Sequence, residues 1–185
     1  FTIVQSGGST SVAETGTTDT FTVVLNAQPA SDVVITITSS DAGEATVSGS
    51  LTFTAGNWNS AQTVTVTGVD DNIIDGTITS TITITVIDAI SDNDFDAVAD
   101  QTVSATTTDD DVAGFTVVES GGSTTVAETG TTDTFTIVLN AQPTSDVVVL
   151  AMSSDDTGEA TVSGSLTFTN TNWNTPQTVT VTGVD

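Results

Sequence analysis

Threonine alternates with aliphatic residues through most of this chain, and this period of two constrains the fold more than any other feature. The pattern is clear in QTVTVTG (residues 62–68) and STITITVI (residues 80–87). Such alternation predicts extended strands that have one buried face and one wet face. Threonine suits the wet face because its β-branch favours the extended backbone while its hydroxyl stays hydrated. No segment shows a helical period of convincing length.

The alternating segments predict seven strands in the first part of the chain, separated by turn-forming residues such as NAQPAS and AGNWNS. The predicted strands cover residues 1–12 with a break at Gly7-Gly8, 19–25, 33–38, 44–54 with a kink near Gly49, 62–68, 79–87 and 101–108. Short strands joined by turns, without helical crossovers, predict an all-β fold of tandem immunoglobulin-like antiparallel β-sandwiches.

The chain also repeats itself. The segment that starts at Phe1 returns at Phe115, and QTVTVTGVD at residues 62–70 returns at residues 177–185. Repetition on this scale is typical of arrays in which each unit folds mainly on itself. We predict a complete module over residues 1–114, ending in the linker DDDVAG, and a second copy over residues 115–185 that stops before its last strands. We expect either a fragment of a long repetitive protein or a unit completed by strands from another chain.

The charge of the chain excludes several classes of partner. It has 24 acidic residues and no Lys, Arg or His, which gives a net charge of −24. Nucleic-acid binding needs cationic groups, and an anionic membrane surface would repel this chain for the same reason. No apolar run approaches the roughly 20 residues needed to cross a bilayer. We therefore expect no nucleic-acid partner and no membrane insertion.

The residue types also argue against catalysis. The chain has no His, Cys, Lys or Tyr, which supply most general bases and nucleophiles in enzymes. A carboxylate pair could support glycoside hydrolysis, but the acids lie beside one another in loops. We therefore expect that the protein is not an enzyme. Without cysteines for disulfides or lysines for isopeptide crosslinks, a metal ion is the remaining way to staple such a module.

Acidic residues gather at one pole of the predicted sandwich. If the strands run up and down in order, the first, third and fifth connections and the end of the seventh strand share that pole. The acids predicted there are Glu14, Asp41, Asp70, Asp71, Asp75, Asp109, Asp110 and Asp111, with Glu44 as a further candidate from the same loop as Asp41. Crowded carboxylates either bind a hard divalent cation or raise one another's pKa values. With no cationic side chain nearby, Ca²⁺ is the favoured ligand; the alternative is a set of solvated loop residues that keep a secreted protein soluble.

These motifs resemble the Calx-beta domains found in sodium/calcium exchangers, integrin β4 and large bacterial surface proteins. The shared features are a Glu-x-Gly after the first strand (residues 14–16), an acidic pair followed by Ile and another acid (residues 70–75), and DDD followed by AG and an aromatic strand (residues 109–115). The resemblance implies that the matching carboxylates bind Ca²⁺ and that Ile73 adds its backbone carbonyl. It also implies that Glu128 and Asp185 belong to a second site.

The third loop departs from that family. Calx-beta domains often carry Ser-Asp-Tyr there, whereas this chain has Val47, Ser48 and Gly49. Fewer carboxylates imply fewer ions or weaker binding. The Thr-rich tandem copies resemble the repeats of giant bacterial exoproteins and adhesins.

Two further motifs have alternative interpretations. The acidic segment SDNDFDAVAD (residues 91–100) lacks the central Gly and distal Glu of an EF-hand loop, so we expect a polar loop, with a weak second calcium site as the alternative. Trp58 and Trp173 each lie in NWN, where a tryptophan either caps a sandwich core or stacks on a sugar ring.

Together these features favour a calcium-stiffened structural repeat of an extracellular or cell-surface adhesin, stalk or fibre. Its partners would be the neighbouring modules of the same polypeptide. One alternative is a glycan-binding module that uses Trp58 and polar loops. Another is a filament subunit that is completed by strands from a neighbouring chain.

Overall fold

The structure, a computed structural model, describes residues 1–149 and 152–185 of the chain. The chain forms two compact units. The first comprises Phe1–Asp71 and Asp75–Asp110, and the second comprises Asn72–Ile74 and Asp111–Asp185.

The first unit consists almost entirely of strands. They are β1 (Thr2–Gln5), β2 (Thr10–Ala13), β3 (Thr18–Val24), β4 (Val33–Ser39), β5 (Ala45–Val47), β6 (Leu51–Phe53), β7 (Gln62–Gly68), β8 (Ile78–Val86) and β9 (Gln101–Thr108). Short 3₁₀ helices cover Ser6–Gly8, Asp88–Ile90 and Asn93–Phe95. No helix in the described part of the chain is long and apolar enough to span a bilayer.

These strands form two sheets, in the orders β1-β3-β7-β5 and β2-β9-β8-β4-β6. The predicted alternation is confirmed, since inward residues such as Phe21, Ile35, Val64 and Ile84 are fully buried in one shared core. The intervening threonines lie on the outer faces. The predicted all-β, immunoglobulin-like sandwich is therefore the observed architecture.

Two of the predicted strands divide between the sheets, so the first unit has nine strands instead of the predicted seven. Residues 1–12 split at the Ser6–Gly8 turn into β1, which pairs with β3, and β2, which pairs with β9. Residues 44–54 split into β5, which pairs with β7, and β6, which pairs with β4. The pairing of β2 with β9 is parallel, which the prediction of a wholly antiparallel sandwich did not include.

The second unit repeats part of this pattern. Its strands are β10 (Phe115–Glu119), β11 (Thr132–Leu139), β12 (Val147–Val149), β13 (Ala160–Val162), β14 (Leu166–Phe168) and β15 (Gln177–Gly183), with a 3₁₀ helix at Ser120–Gly122. Its described residues form one sheet in the order β10-β11-β15-β13 and a two-stranded sheet of β12 and β14. Its buried core centres on Ile137, Phe168 and Val179.

We expect the two units to respond differently to the same core substitution. Phe21 is fully buried, whereas its counterpart Phe135 is only half-buried. Phe21→Ala should lower the free energy of unfolding of the first unit by about 3–5 kcal/mol, the usual cost of removing a buried phenylalanine. Phe135→Ala should lower that of the second unit by less than half as much. Hydrogen exchange on β7 and β15, whose sequences are identical, measures the two effects separately. Equal losses would contradict the difference in packing.

Candidate metal centre

A tight turn after β2 directs Glu14 into the protein. The amide of Glu14 donates to the carbonyl of Thr108 at 3.1 Å, and the amide of Gly16 donates to the carbonyl of Ala13 at 3.1 Å. Gly16 has a φ of 78°, a left-handed conformation that favours glycine. The Glu14 side chain is consequently only 1% exposed. The Glu-x-Gly motif therefore closes a turn that buries a carboxylate.

Gly68, at the end of β7, permits this arrangement. A Cβ at this position would overlap the carbonyl oxygen of Ala13, and the neighbouring atom is backbone that cannot easily move. The Gly68 amide also donates to the carbonyl of Thr17 at 3.0 Å, which joins β7 to the same turn. This role of Gly68 was not predicted from the sequence. The available signal was that the alternation QTVTVT ends in glycine in both copies, at Gly68 and Gly183.

Glu44 is the second buried carboxylate of the site. It directly precedes β5 and is 7% exposed. Its carbonyl accepts hydrogen bonds from the amide of Val69 at 2.9 Å and the hydroxyl of Thr107 at 3.2 Å. These contacts fix its backbone between β7 and β9. Glu44 is thereby held at the same pole as Glu14.

Asp75 completes a cluster of three carboxylates within the first unit. Glu14, Glu44 and Asp75 each offer one oxygen, and these three oxygens lie within 4.8 Å of one another. Asp109 holds the Asp75 loop in place, because its Oδ2 accepts hydrogen bonds from the amides of Asp75 at 3.1 Å and Gly76 at 2.8 Å. The loop before β8 and the end of β9 therefore meet at the cluster.

The electrostatics of this cluster are unfavourable for three ionised acids. Burial raises the pKa of Glu14 from its ordinary value of 4.5 to about 7, and the charges of Asp109 and Asp71 add to this effect. Burial also raises the pKa of Glu44, and the charges of Asp75 and Asp41 act in the same direction. Two carboxylates about 4 Å apart repel by about 4 kcal/mol at an effective dielectric constant of about 20. The cluster therefore favours either a shared proton or a cation.

Two orphaned oxygens favour the cation. Oε2 of Glu14 and Oε2 of Glu44 are buried and have no hydrogen-bond partner. A buried acceptor without a partner is costly, and a bound cation would supply the kind of partner that these oxygens lack. The donors are carboxylates without nitrogen or sulfur ligands, which suits Ca²⁺ or another hard cation better than Zn²⁺. The residues present therefore fit a calcium ion.

A polar cavity lies beside Glu14, one of the three clustered acids. It has a volume of about 400 Å³ and is lined by Glu14, Thr15, Gly16, Asp70 and Asp110. Asp70 and Asp110 are exposed at its rim, so they add negative charge where an ion would enter. The predicted convergence of the first loop, the fifth loop and the end of β9 is thus present in the first unit.

The remaining predicted ligands lie in less central positions. Asp71 is half-buried, and its charge raises the pKa of both Glu14 and Glu44. Asp41 is exposed, and its Oδ1 accepts the amide of Gly43 at 2.9 Å within its own loop. Asp41 therefore contributes charge near Glu44, while Glu44 contributes the clustered oxygen that the sequence analysis did not include among the ligands.

Asp111 and Ile73 both belong to the second unit. Asp111 is half-buried at the start of the segment that leads into β10. Ile73 forms a parallel bridge with Gln142, and the amide of Gln142 donates to the carbonyl of Asn72 at 2.6 Å. A ligand role for the Ile73 carbonyl stays a prediction.

The second copy of the site is open. Glu128 and Glu159 are the counterparts of Glu14 and Glu44, and both are exposed, as is Asp185. Within the second unit by itself, no three acidic side chains in its described residues bring oxygens as close together as those of the first cluster. A second metal site at Glu128 and Asp185 stays a prediction.

The two tryptophans make the same backbone contact in the two copies, and Trp58 also packs against a sandwich core. Trp58 is half-buried and packs against the first core, and its carbonyl accepts the amide of Leu25 at 3.1 Å. The carbonyl of Trp173 accepts the amide of Leu139 at the same distance. These contacts favour a core cap, and the sugar-binding role of either residue stays a prediction.

In the acidic segment at residues 91–100, the buried side chain of Asp92 accepts hydrogen bonds from backbone amides. Oδ2 of Asp92 accepts the amides of Ala30 at 2.6 Å and Ser31 at 2.9 Å, while Oδ1 accepts the amide of Asp94 at 3.0 Å. These hydrogen bonds lower the pKa of Asp92, and the bond from the Ser31 amide has the largest effect. Both oxygens therefore already have donors, which favours the polar-loop interpretation over a second calcium site.

Comparisons with known proteins do not assign this chain to a family. No protein-family profile and no curated protein matches it. Similar solved structures include the calcium-binding domain CBD12 of CALX1.1, which is 16% identical with a TM-score of 0.40 over 100% of this chain and 76% of that chain. Domains 4–9 of the surface-layer protein SbsC are 16% identical with a TM-score of 0.36, over 100% of this chain and 27% of that chain. The E. coli chaperone DraB is 7% identical with a TM-score of 0.42, and the match covers 100% of this chain and 87% of that chain.

We expect a distinct pH dependence in metal-free buffer. The pKa of Glu14 rises from 4.5 to about 7 on folding, so the folded state binds one more proton than the unfolded chain between these values. The stability of the first unit should therefore fall as the pH rises through this window, by up to about 3 kcal/mol. Glu14→Gln, which cannot ionise, should flatten the curve. Glu128→Gln, at the exposed counterpart, serves as the control. Denaturant unfolding at successive pH values measures the slope, and a Glu14→Gln slope equal to that of the unchanged chain would contradict the assignment.

Proposed function

We propose that this chain is a calcium-binding structural repeat without catalytic activity. The observation that carries the proposal is the pair of buried, unpartnered carboxylate oxygens on Glu14 and Glu44 in a chain that has no basic side chain. Such oxygens can be satisfied by protons or by an external cation. Calcium is the common hard cation whose preferred ligands match this set.

The repeat argues for a mechanical role. The two copies share nearly the same sequence over their common length, including the turns and the alternating threonines, and a tandem array gains length with each copy. Asp109 and Asp110 end the first unit along the chain, directly before the segment that leads to β10. An ion bound beside Asp109 would hold the point at which the chain leaves the sandwich. Calcium binding would thus stiffen the repeat at this point.

We place this repeat outside the cell, in an adhesin, stalk or surface fibre. Calcium sites of extracellular modules have dissociation constants of about 10⁻⁴ to 10⁻³ M, which matches a site with few carboxylates and a partly open cavity. The chain also has no cysteine, so its stability does not depend on disulfide bonds or on the redox state of its surroundings. Neighbouring modules of the same polypeptide would be its main partners.

Thermal unfolding with calcium or with a chelator tests the proposal. An ion that binds only the folded state at 100 times its dissociation constant stabilises that state by about 2.7 kcal/mol, which corresponds to a rise in Tm on the order of 10 °C for a unit of this size. We expect this rise for the first unit of the full chain. Glu14→Gln and Asp75→Asn should each remove most of it.

Asp100→Asn provides the matched control, because it removes one negative charge from an exposed position outside the site. It should leave the calcium response intact. A response that falls equally in Asp100→Asn and Glu14→Gln would indicate general charge screening. A chain with the same Tm in calcium and in chelator would contradict calcium binding.

A further inference from the structure

Thr17 anchors the turn that presents Glu14. Its hydroxyl oxygen accepts the amide of Ala13, the last residue of β2, at 2.7 Å. Its carbonyl accepts the amide of Gly68, the last residue of β7, at 3.0 Å. Strands β2 and β7 belong to different sheets, so this one residue joins the two sheets directly beside the buried glutamate.

Thr17 makes these contacts from an exposed position. Its side chain therefore contributes a hydrogen bond to the turn and little buried area. Valine has the same β-branched shape as threonine but has no hydroxyl. The substitution Thr17→Val thus removes the hydrogen bond to the Ala13 amide and leaves the size of the side chain nearly unchanged.

The same hydrogen bonds recur in the second copy of the turn. The hydroxyl oxygen of Thr131 accepts the amide of Ala127 at 2.7 Å, and its carbonyl accepts the amide of Gly183 at 3.0 Å. The amide of Gly130 donates to the carbonyl of Ala127 at 3.2 Å, as that of Gly16 does to Ala13 in the first copy. Gly130 also has the same left-handed conformation, with a φ of 77°.

The surroundings of the two turns are different. In the first unit β2 pairs with β9, and Glu14 is buried. In the second unit residues 124–127 form no strand, and Glu128 is exposed. Because the turn has the same hydrogen bonds in both settings, it requires neither a paired strand before it nor a buried glutamate. Its conformation is set by its own residues and by the glycine that ends the neighbouring strand.

A preformed turn matters because the clustered acids repel one another. Glu14, Glu44 and Asp75 bring their oxygens within 4.8 Å, and the chain has no basic side chain to offset their charges. In metal-free protein this repulsion favours movement of the Glu14 turn away from the other two acids. The hydrogen bond to the Thr17 hydroxyl opposes that movement. A ligand that is already in place binds an ion more tightly, because less order has to be created on binding.

We infer that Thr17 is a positioning residue for the calcium site. Its hydroxyl holds Glu14 in the ligand position before the ion arrives and thereby raises the affinity for calcium. The inference rests on the proposed calcium-binding function and assigns part of its affinity to a residue that acts through Glu14.

Calorimetric titration of calcium tests this role in the full chain with Glu128→Gln. That substitution removes the exposed counterpart of Glu14, so the titration reports on the first unit. Adding Thr17→Val should raise the dissociation constant by about fivefold, the usual effect of one hydrogen bond. Thr17→Ser keeps the hydroxyl and should restore the affinity. Thr131→Val removes the same hydrogen bond from the second copy and should leave the affinity of the first unit unchanged.

The first unit should stay folded in these variants. Strand β2 is also held by Asp19, whose Oδ2 accepts the amide of Ser11 at 2.9 Å, and by its pairing with β9. Thr17→Val therefore loosens the turn and leaves the strand in place. A titration well below Tm measures folded protein, so a loss of stability alone would leave the dissociation constant unchanged.

Hydrogen exchange in chelator measures the positioning without calcium. Thr17→Val should speed exchange at the amides of Glu14 and Gly16 by about fivefold, since both belong to the turn that the hydroxyl anchors. The amide of Val64, in the middle of β7, should keep its protection. Thr17→Ser should exchange like the unchanged chain.

The outcomes separate the role of Thr17 from calcium binding itself. Unchanged exchange at Glu14 and Gly16, or calcium binding that Thr17→Val leaves equally tight, would overturn the positioning role. An equal loss of affinity in Thr131→Val or in Thr17→Ser would overturn it as well. A Glu128→Gln chain that binds no calcium would instead contradict the proposed function and the gain in affinity, while faster exchange in Thr17→Val would still show that the hydroxyl holds the turn.

Discussion

A carboxylate buried in a protein without basic side chains can be neutralised only by a proton or by a cation from outside. Glu14 and Glu44 are in this position, with exposed fractions of 1% and 7% in a chain that has no Lys, Arg or His. Most proteins pair buried acids with Arg or Lys. Here that solution is absent, and the first unit instead brings a third acid, Asp75, to the same point. The stability of the pole therefore depends on what the surrounding solution supplies.

The sandwich brings these acids together through backbone contacts. Glu14 follows β2, Glu44 precedes β5, and Asp109 follows β9, so three strands from two sheets end at one pole. Gly68 permits the close approach of β7 to the turn at Ala13. Strand β9 pairs with β2 and β8. Its last residue, Thr108, accepts the Glu14 amide, and Asp109, which follows it, holds the Asp75 loop. The site is therefore a product of the complete first unit.

The second unit supports this view through an internal comparison. Glu128 and Glu159 have the same local sequences as Glu14 and Glu44, yet both are exposed. Local sequence thus supplies the acids, whereas burial requires the strands that cover them. Val147 and Phe115 in the second unit are likewise exposed, whereas Val33, the counterpart of Val147, is fully buried.

The sequence predicted the fold well because the alternation of Thr with aliphatic residues determines which face of each strand is buried. Up-and-down strand order also predicted the pole where Glu14, Asp75 and Asp109 meet. It did not predict the parallel pairing of β2 with β9, since pairing between distant strands depends on how the chain crosses between sheets at the Ser6–Gly8 turn. The central role of Glu44 was missed for a similar reason. Its burial depends on contacts with Val69 and Thr107, which lie far away in sequence.

Calorimetric titration of calcium into the full chain near pH 7, in two buffers with different ionisation enthalpies, tests the central claim most directly. Because the pKa of Glu14 is about 7, this carboxyl is partly protonated there and must release its proton when it binds the ion. We predict calcium binding with proton release that disappears in Glu14→Gln and persists in Asp100→Asn. Binding without proton release, or binding that Glu14→Gln leaves unchanged, would contradict a calcium ion held by the buried carboxylates.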